Sequence, residues 1–421
     1  MHRSRWLPIA VTLGAACADP LIAPMPRPLP SVQAGAGSSA SAAAVPVSIS
    51  VAKNERVAVI GGELVDLTTV EPRLKLTSEL VLASDVSDGV AYLTVRVGEG
   101  AELRAHDTAD GRLLWSQAVA GCRQPVASAS GVFCESDAGL SHFSRGTGKV
   151  QQLGPETEVT GLIGLEGRLL ALTSSSTVVA LDAMSGEVLG SLKLRHQPVS
   201  GFTRRPLVRA GSLVCGASSN DKTTDLTCFD GTPSLVHSEA IAVPQGALQQ
   251  ADADVLVVSS WQGARSCEVL ATSSGASMGR TKNRCAAGIA SSGSLEGMLL
   301  LHPKLELLDA RGSVRWSSEK QTRSSFDAAK VVRVGTTLVI ARYNPIATGT
   351  QLFAVDAATG ALVWTADVES LPIAHSKYSN RVELEVTSRG LMLVGREAGQ
   401  EFVQLFDATS GRRIASVLRG R

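Results

Sequence analysis

The feature that most constrains the fold is a short turn sequence that recurs along the chain. Its fullest copy lies in Gln351–Val368, QLFAVDAATGALVWTADV, where alternating apolar residues lead into DAATG and a second apolar run ends at Trp364. Period-two alternation on both sides of a polar, glycine-containing turn is typical of a β-hairpin. Asp356 can accept hydrogen bonds from backbone N–H groups two or three residues further on, and Gly360 supplies the positive φ that such a turn requires.

Similar turns follow at regular intervals. The strong copies are DTADGRLLW, DAMSGEVLG, DATSGRRIA and the shorter DARGSVRW, and the weaker copies are SRGTG, FDGTP and ATSSG. Their glycines are Gly111, Gly148, Gly186, Gly231, Gly275, Gly312, Gly360 and Gly411. The mean spacing of about 43 residues lies in the range of four-stranded propeller blades.

A second glycine turn, between two apolar runs, precedes the first kind in PVASASGVFC, GLIGLEGRLLAL, PLVRAGSLVC, VVRVGTTLVI and LEVTSRGLMLVG. Two hairpins per repeat give four strands per repeat. We therefore predict an all-β fold, a β-propeller of four-stranded antiparallel blades, with eight blades favoured and seven or nine as alternatives. Val47–Leu76 also carries short apolar runs, so it is either a compressed extra blade or the strands that close the ring. A β-sandwich is disfavoured because its strands do not repeat as units.

The turn motif resembles the A-x-D-x-x-T-G-x-x-x-W repeat of the PQQ-like, or quinoprotein-type, β-propellers. Ala354, Asp356, Thr359, Gly360 and Trp364 match this pattern fully, and the resemblance covers roughly residues 77–421. The motif positions that we assign to it are Asp107, Gly111, Trp115, Asp182, Gly186, Asp309, Gly312, Trp316, Asp356, Gly360, Trp364, Asp407 and Gly411. The resemblance implies the fold more specifically than it implies a function, and we expect Trp364 to dock between blades.

The N-terminal residues predict export. Residues 1–18 read as a signal peptide, with the basic start MHRSRW and an apolar core too short to span a bilayer. Two processing sites compete. Gly14-Ala15-Ala16-Cys17 resembles a lipobox, which would place a lipid on Cys17, whereas cleavage before Asp19 would release a soluble protein. Residues 19–46 are rich in Pro, Ala and Ser and predict a disordered tether, leaving residues 47–421 for the propeller.

Composition narrows the partners and the compartment. The formal net charge is +1, so nothing favours nucleic acid as a partner. Six cysteines remain beyond Cys17, and an even number behind a signal peptide favours disulfides. Cys215 and Cys228 flank a likely turn symmetrically and are the best candidate pair. The candidate disulfide residues are Cys215, Cys228, Cys122, Cys134, Cys267 and Cys285.

The sequence predicts no catalytic, cofactor-binding or metal site. Its seven histidines are scattered, and it contains no H-E-x-x-H. The family resemblance raises a quinone-dependent (PQQ) oxidoreductase as the alternative, but it would then imply adjacent cysteines, and no Cys-Cys pair is present. We therefore predict a non-enzymatic monomer, located in the cell envelope or secreted, that binds unidentified proteins through its propeller loops. Its contact with a membrane would be a lipid anchor. The closest functional analogy is the lipoprotein propeller of outer-membrane β-barrel assembly machines.

Overall fold

The described residues fold into antiparallel sheets that follow one another along the chain. The structure is a computed structural model and describes residues 56–122, 125–136, 139–153, 159–165, 167–196, 198, 206–260, 265–291, 293–321, 327–344, 347–369, 380–397 and 400–419. All of them belong to one compact unit, residues 44–421. The predicted signal peptide, Cys17 and the predicted tether lie outside the described residues, and so do Trp261 and His375.

The strands of the first four sheets carry short apolar runs bounded by turns. Blade 1 contains β1 (Val57–Ile60), β2 (Glu63–Asp66) and β3 (Glu71–Lys75). Blade 2 contains β4 (Val81–Ser87), β5 (Val90–Val97), β6 (Gly100–Asp107) and β7 (Leu113–Val119). Blade 3 contains β8 (Pro125–Ser128), β9 (Gly131–Ser136), β10 (Gly139–Ser144) and β11 (Val150–Leu153). Blade 4 contains β12 (Val159–Leu165), β13 (Arg168–Thr173), β14 (Thr177–Asp182) and β15 (Val188–Lys193).

The remaining five sheets repeat the same order. Blade 5 contains β16 (Val208–Ala210), β17 (Leu213–Ser219), β18 (Thr224–Phe229) and β19 (Leu235–Ile241). Blade 6 contains β20 (Gly246–Ala251), β21 (Val255–Ser260), β22 (Cys267–Ala271) and β23 (Ser277–Thr281). Blade 7 contains β24 (Ala287–Ser291), β25 (Ser294–Leu300), β26 (Lys304–Leu308) and β27 (Val314–Gln321). Blade 8 contains β28 (Ala328–Val334), β29 (Thr337–Asn344), β30 (Ala347–Asp356) and β31 (Leu362–Asp367). Blade 9 contains β32 (Arg381–Thr387), β33 (Gly390–Glu397), β34 (Gln400–Phe406) and β35 (Arg413–Arg419).

Every sheet is an antiparallel meander in which each strand pairs with the next strand in the sequence. Eight sheets have four strands, and three strands of blade 1 lie within the described residues. The predicted fold class is therefore confirmed, and the number of blades is nine, one of the two alternatives kept beside the favoured eight. Successive turns of a blade lie on opposite faces of the disc. The turn between strands one and two and the turn between strands three and four therefore share one face, and the turn between strands two and three lies on the other.

The hydrophobic core is divided among the interfaces between neighbouring blades. The buried side chains form nine clusters within the described residues, one for each successive pair of blades around the ring. The cluster that closes the ring joins blade 9 to blade 1 and includes Ile60, Val65, Met392 and Leu405. This arrangement removes the large edges that an open stack of sheets would expose.

Ring closure is reinforced by polar contacts between the two ends of the chain. The carboxylate of Glu401 accepts a hydrogen bond from the N–H of Gly61 at 2.8 Å. Arg419 forms an ion pair with Glu63, and Arg56 forms one with Glu385. Within the described residues, blades 9 and 1 therefore meet through side-chain packing and these contacts, because no described strand is shared between them.

Candidate interaction surface

The motif aspartates hold the turn between the third and fourth strands of a blade. The Asp356 carboxylate accepts hydrogen bonds from the N–H of Thr359 at 2.8 Å and from the Thr359 hydroxyl at 2.8 Å. Gly360, with a φ of 73°, donates its N–H to the Asp356 carbonyl at 2.8 Å. The hydroxyl and N–H of Thr359 stabilise the charged carboxylate, which lowers the pKa of Asp356. The same contacts lower the pKa of Asp407, and at Asp182 the N–H of Ser185 is the largest contributor to the lowered pKa. These aspartates act as structural acceptors.

Each motif tryptophan joins its own blade to the next blade. The indole N–H of Trp364 donates to the carbonyl of Ala408 at 3.3 Å, and a Cβ built on Gly411 would lie 2.4 Å from the Trp364 ring. Trp316 has the same relation to Ala357 and Gly360. The turn glycine therefore has two functions: it adopts a positive φ, and it leaves room for the ring of the preceding blade.

Trp115 repeats this contact between blades 2 and 3. Its indole N–H donates to the Arg145 carbonyl at 2.8 Å, and its ring lies against Gly148. We call the place of these tryptophans in the fourth strand the wedge position. A register shift just before this position recurs in eight of the nine sheets, next to a turn aspartate in seven of them and next to Ala271 in blade 6. A β-bulge of this kind turns the strand that follows it.

Other residue types occupy the wedge position in the other blades. The Nε2 of His237 in blade 5 donates a hydrogen bond to the carbonyl of Thr272 at 2.9 Å, and the His237 ring lies against Gly275. It thus replaces a tryptophan with a smaller ring that keeps the polar contact. Leu74 takes this position in blade 1, and its side chain lies beside Gly111, where a Cβ would be 3.7 Å from it. In blade 4 the residue is Gly190, where the backbone of Thr232 approaches closely instead.

The six cysteines beyond Cys17 are paired, and two of the three pairs cross a blade boundary. Cys215–Cys228 joins directly opposite residues of β17 and β18 within blade 5. Cys122–Cys134 links blade 2 to blade 3. Cys267–Cys285 links blade 6 to blade 7. Disulfides of this number are typical of proteins that fold in an oxidising compartment.

A buried polar cluster lies between blades 8 and 9, at the face that carries the turn between strands two and three. One oxygen of Glu397 accepts hydrogen bonds from the N–H groups of Gly349 and Thr350. The Asn380 side chain donates to the carbonyl of Asn344 at 2.9 Å. The amide of Gln404 donates to the Glu369 carbonyl at 2.7 Å and accepts from its N–H at 3.2 Å. These side chains satisfy backbone groups of the neighbouring blade, so their evident role is structural.

The outer rim of the ring is unusually apolar. One or both of the first two residues of the fourth strand of a blade are often exposed aliphatic residues. We call this set the aliphatic rim; it comprises Leu113, Val150, Val188, Leu189, Leu235, Val236, Val314, Leu362, Val363 and Ile414. Sequence reasoning missed it, although aligning the repeats on their turn glycines shows the recurring aliphatic positions. These exposed residues recur at the same place in the outer strands of seven blades.

The titratable side chains of the described residues were compared with the requirements of a metal site. Their His, Cys, Asp and Glu side chains form no group of three that could hold a metal ion. His106 and His142 are packed, and burial lowers the pKa of both imidazoles. In the part of the chain that the structure describes, no helix has the length and apolarity needed to cross a membrane.

Comparison with known proteins identifies the repeat family. The profile of the family described as outer membrane protein assembly factor BamB matches residues 61–276 and 304–420. No curated protein sequence matches the chain. Among solved structures, BamB from Moraxella catarrhalis is 15% identical with a TM-score of 0.45, covering 70% of this chain and 93% of that one.

Two further solved structures are similar at the same level. The computationally designed Ika8 protein is 15% identical with a TM-score of 0.46, and the match covers 81% of this chain and 87% of that one. A KlHsv2 variant whose loop 6CD is replaced by a Gly-Ser linker is 8% identical with a TM-score of 0.41, covering 79% and 94% of the two chains. These TM-scores are too low to support an argument about function.

Proposed function

Because the chain belongs to the family described as outer membrane protein assembly factor BamB, we propose that it is a non-enzymatic scaffold of the bacterial cell envelope that takes part in the assembly of outer-membrane proteins. The observation that carries this proposal is the family match, which covers blades 2 to 5, 8 and 9 and parts of blades 1, 6 and 7. Fold alone does not imply function, so the proposal depends on this family and on the character of the surface.

The architecture supports a role in binding. A buried apolar cluster packs every boundary between blades, and a wedge side chain or a disulfide reinforces several of them, so the ring presents its turns and rim as preformed surfaces. Preformed surfaces lose little conformational entropy on binding. The described polar clusters satisfy backbone groups, and the motif carboxylates are turn acceptors, which leaves them without an evident catalytic role.

The test uses the tagged chain in its own envelope. Gentle solubilisation, purification and mass spectrometry should recover proteins of the outer-membrane assembly machinery, and deletion of the gene should lower the amount of folded outer-membrane β-barrels. A variant that lacks residues 1–18 and therefore stays in the cytoplasm controls for contacts made after lysis. If barrel levels are unchanged and no assembly component is enriched, the proposal is wrong.

We further propose that the chain is held at a membrane by a lipid on Cys17. This residue lies outside the described residues, and the support is the lipobox-like Gly14-Ala15-Ala16-Cys17 together with the Pro/Ala/Ser-rich residues 19–46. Replacement of Cys17 by Ser should move the protein from the membrane fraction to the soluble fraction. Mass spectrometry that finds an unlipidated N-terminus at Asp19 in the parent protein would show that the chain is soluble instead.

A further inference from the structure

Blade 1 has one strand fewer than the other blades within the described residues, and a recurring backbone hydrogen bond shows which strand this is. The residue after the turn aspartate donates its N–H to the carbonyl of the residue just before strand two, from Thr108 to Gly89, from Ala183 to Gly167 and from Ala357 to Thr336, at 2.9, 3.1 and 2.8 Å. In blade 1 the same bond joins Leu67 to Arg56 at 2.6 Å. Strand β1 therefore corresponds to strand two of the other blades, and the innermost strand is the one without a described counterpart.

Strand β1 is enclosed on both faces and open along one edge. Its outer edge pairs with β2. Val57 and Val59 pack with blade 2 on one face, and Ala58 and Ile60 pack with blade 9 on the other. No described strand pairs with the inner edge of β1, which is where strand one lies in the other eight blades.

The backbone groups on this inner edge belong to Val57 and Val59. Successive residues of a strand direct their N–H and C=O groups to opposite edges. The carbonyl of Arg56 accepts from Leu67, on the side of β2. The groups of Val57 and Val59 are therefore directed away from β2, towards the axis of the ring, where a further strand would satisfy them.

We propose that residues 48–54 of this chain, SISVAKN, occupy the inner edge of β1 as the innermost strand of blade 1. The segment precedes β1 directly and leaves Glu55 and Arg56 as a two-residue turn. Turns of this length join strands one and two in seven of the eight other blades. In the resulting antiparallel register Asn54 pairs with Val57, and Ala52 pairs with Val59.

The apolar residues of this segment fit the position. Strand one has seven residues in blades 8 and 9, and these residues are equivalent to 48–54. Ile49 and Val51 would face blade 9, because Val51 would pair with Ile60. The equivalent residues of blades 8 and 9 lie in or against the core shared with the preceding blade: Ala329, Val331, Val382 and Leu384.

The one charged residue of the segment also fits. Lys53 would stand next to the last residue of strand one. Arg209 has this place in blade 5 and Arg333 has it in blade 8, and both are exposed. The segment is thus apolar where the position is buried and charged where the position is exposed.

A strand supplied by another protein is the competing occupant. It would have to displace a segment that is joined to β1 through two residues. A link this short gives its segment an effective concentration of about a millimolar or more, which a separate chain rarely reaches. The favoured occupant is therefore the chain itself, and the assignment does not depend on the proposed scaffold function.

This strand also fixes where the predicted tether leaves the ring. Because residues 48–54 would run antiparallel to β1, residue 48 would lie on the face that carries the turn between β1 and β2. Residues 19–46 then leave the ring near its axis on that face. The motif turns lie on the opposite face, away from the attachment point of the tether.

The first test is residue-resolved amide hydrogen exchange of the full exported chain. The N–H groups of Ala52, Asn54, Val57 and Val59 should exchange slowly, since each donates across the new pair of strands. The N–H groups of Val51 and Lys53 should exchange quickly. A segment that does not pair with β1 would instead exchange quickly at every residue.

Two matched variants and one crosslink sharpen the test. Val51→Asp places a charge against blade 9 and should speed the exchange of Val57 and Val59 about tenfold or more. Val45→Asp makes the same change within the predicted tether and should leave both rates unaltered. A photo-crosslinking residue in place of Val47 should label the start of β32 near Arg381 and not the turn at Arg389.

The exchange pattern of the parent chain decides the matter even if Val51→Asp is too unstable to purify. Uniformly fast exchange over residues 48–54, equal effects of the two variants, or a crosslink at Arg389 would each overturn the inference. Fast exchange of Val57 and Val59 in the purified chain, with slow exchange only in complexes isolated from the envelope, would assign the edge to a strand of a partner.

Discussion

At the scale of single residues, an aromatic side chain at four of the blade boundaries connects the turn to the packing of the ring. Trp364 is buried, and it fills the space that Gly411 leaves in the next blade. The same side chain also satisfies the carbonyl of Ala408. The sequence motif thus records a contact between consecutive blades, because the tryptophan of one copy packs on the glycine of the following copy.

Truncation of this wedge measures its contribution to stability. Trp364→Ala should lower the free energy of unfolding by roughly 3–5 kcal/mol, since it removes a buried aromatic side chain and leaves a cavity. The neighbouring Val363 is exposed, and Val363→Ala should change the free energy of unfolding by no more than about 0.5 kcal/mol. Denaturant unfolding of the two variants is the measurement, and equal midpoints would show that Trp364 is not an inter-blade wedge.

A charged contact in blade 2 predicts a dependence on pH. Hydrogen bonds from the Arg104 guanidinium and then from the Thr77 hydroxyl lower the pKa of Glu79 from 4.5 to about 2. A carboxyl group whose pKa is lower in the folded state stabilises the fold fully above its unfolded pKa. We expect this contribution to be complete above pH 4.5 and to disappear as the pH falls from 4.5 towards 2.

The size of this effect is limited by solvent. The Glu79 side chain is 42% exposed, so the contribution should be about 1 kcal/mol or less. Stability curves of the parent and of Glu79→Gln should converge at the acid end of the range and separate above it. A double-variant cycle with Arg104→Gln isolates the pair. If Glu79→Gln has the same effect at every pH, the interaction is not electrostatic.

At the scale of elements, the sequence predicted the hairpins well but left open whether Val47–Leu76 forms a blade. Blade 1 has the same turn as the others, with Asp66 accepting from the N–H groups of Thr68 and Thr69 at 2.7 and 3.2 Å. The residue at the glycine position is Val70, which has a φ of 58°. A β-branched residue rarely adopts this conformation, so a search for turn glycines cannot find the turn. Packing of Val70 against blade 9 supports this backbone conformation.

The wedge and the rim were predictable to different degrees. The tryptophan positions follow from the motif, whereas His237 and Leu74 have no sequence signal beyond their spacing from the turn. The exposed aliphatic residues could not be distinguished from core residues by pattern alone. Their exposure depends on which strand is outermost, and this is fixed only when the blades pack around the ring.

The disulfides between blades predict a measurable local effect. Replacing both Cys122 and Cys134 by Ser should lower the free energy of unfolding by about 3 kcal/mol, as expected for a short closed loop. Since this pair joins blades 2 and 3, amide exchange should rise on both sides of that boundary. The same replacement of Cys215 and Cys228 is the control, because that pair lies within blade 5 and should affect that blade alone. Identical exchange patterns in the two variants would contradict the assignment of the first pair as a link between blades.

At the scale of the whole molecule, eight of the nine described boundaries join blades that are consecutive in the sequence. The ninth boundary joins the last blade to the first, and no described residue connects these two blades covalently. Blades 9 and 1 are held together by the cluster around Ile60 and Leu405 and by the contacts of Glu401 and Arg419. Blades 7 and 8 have a comparable cluster that includes Ile340, and the chain runs directly from one to the other. A cavity at the first boundary should therefore allow the ring to open, whereas a cavity at the second should not.

Ile60 of β1 and Ile340 of β29 provide a matched pair for this comparison, since both side chains are fully buried. Either residue changed to Ala should cost roughly 2–5 kcal/mol of global stability, because each change removes the same buried groups. Native-state hydrogen exchange should nevertheless distinguish them. In Ile60→Ala the amides of β1, β2 and β35 should exchange through a local opening of low free energy, well below that of global unfolding. In Ile340→Ala the amides of β28 and β29 should still require nearly global unfolding, since the chain crosses this boundary and the intact interface with blade 9 holds blade 8 in place. The same low-energy opening in both variants would mean that continuity of the chain does not decide where the ring opens, and that all nine boundaries respond to a cavity alike.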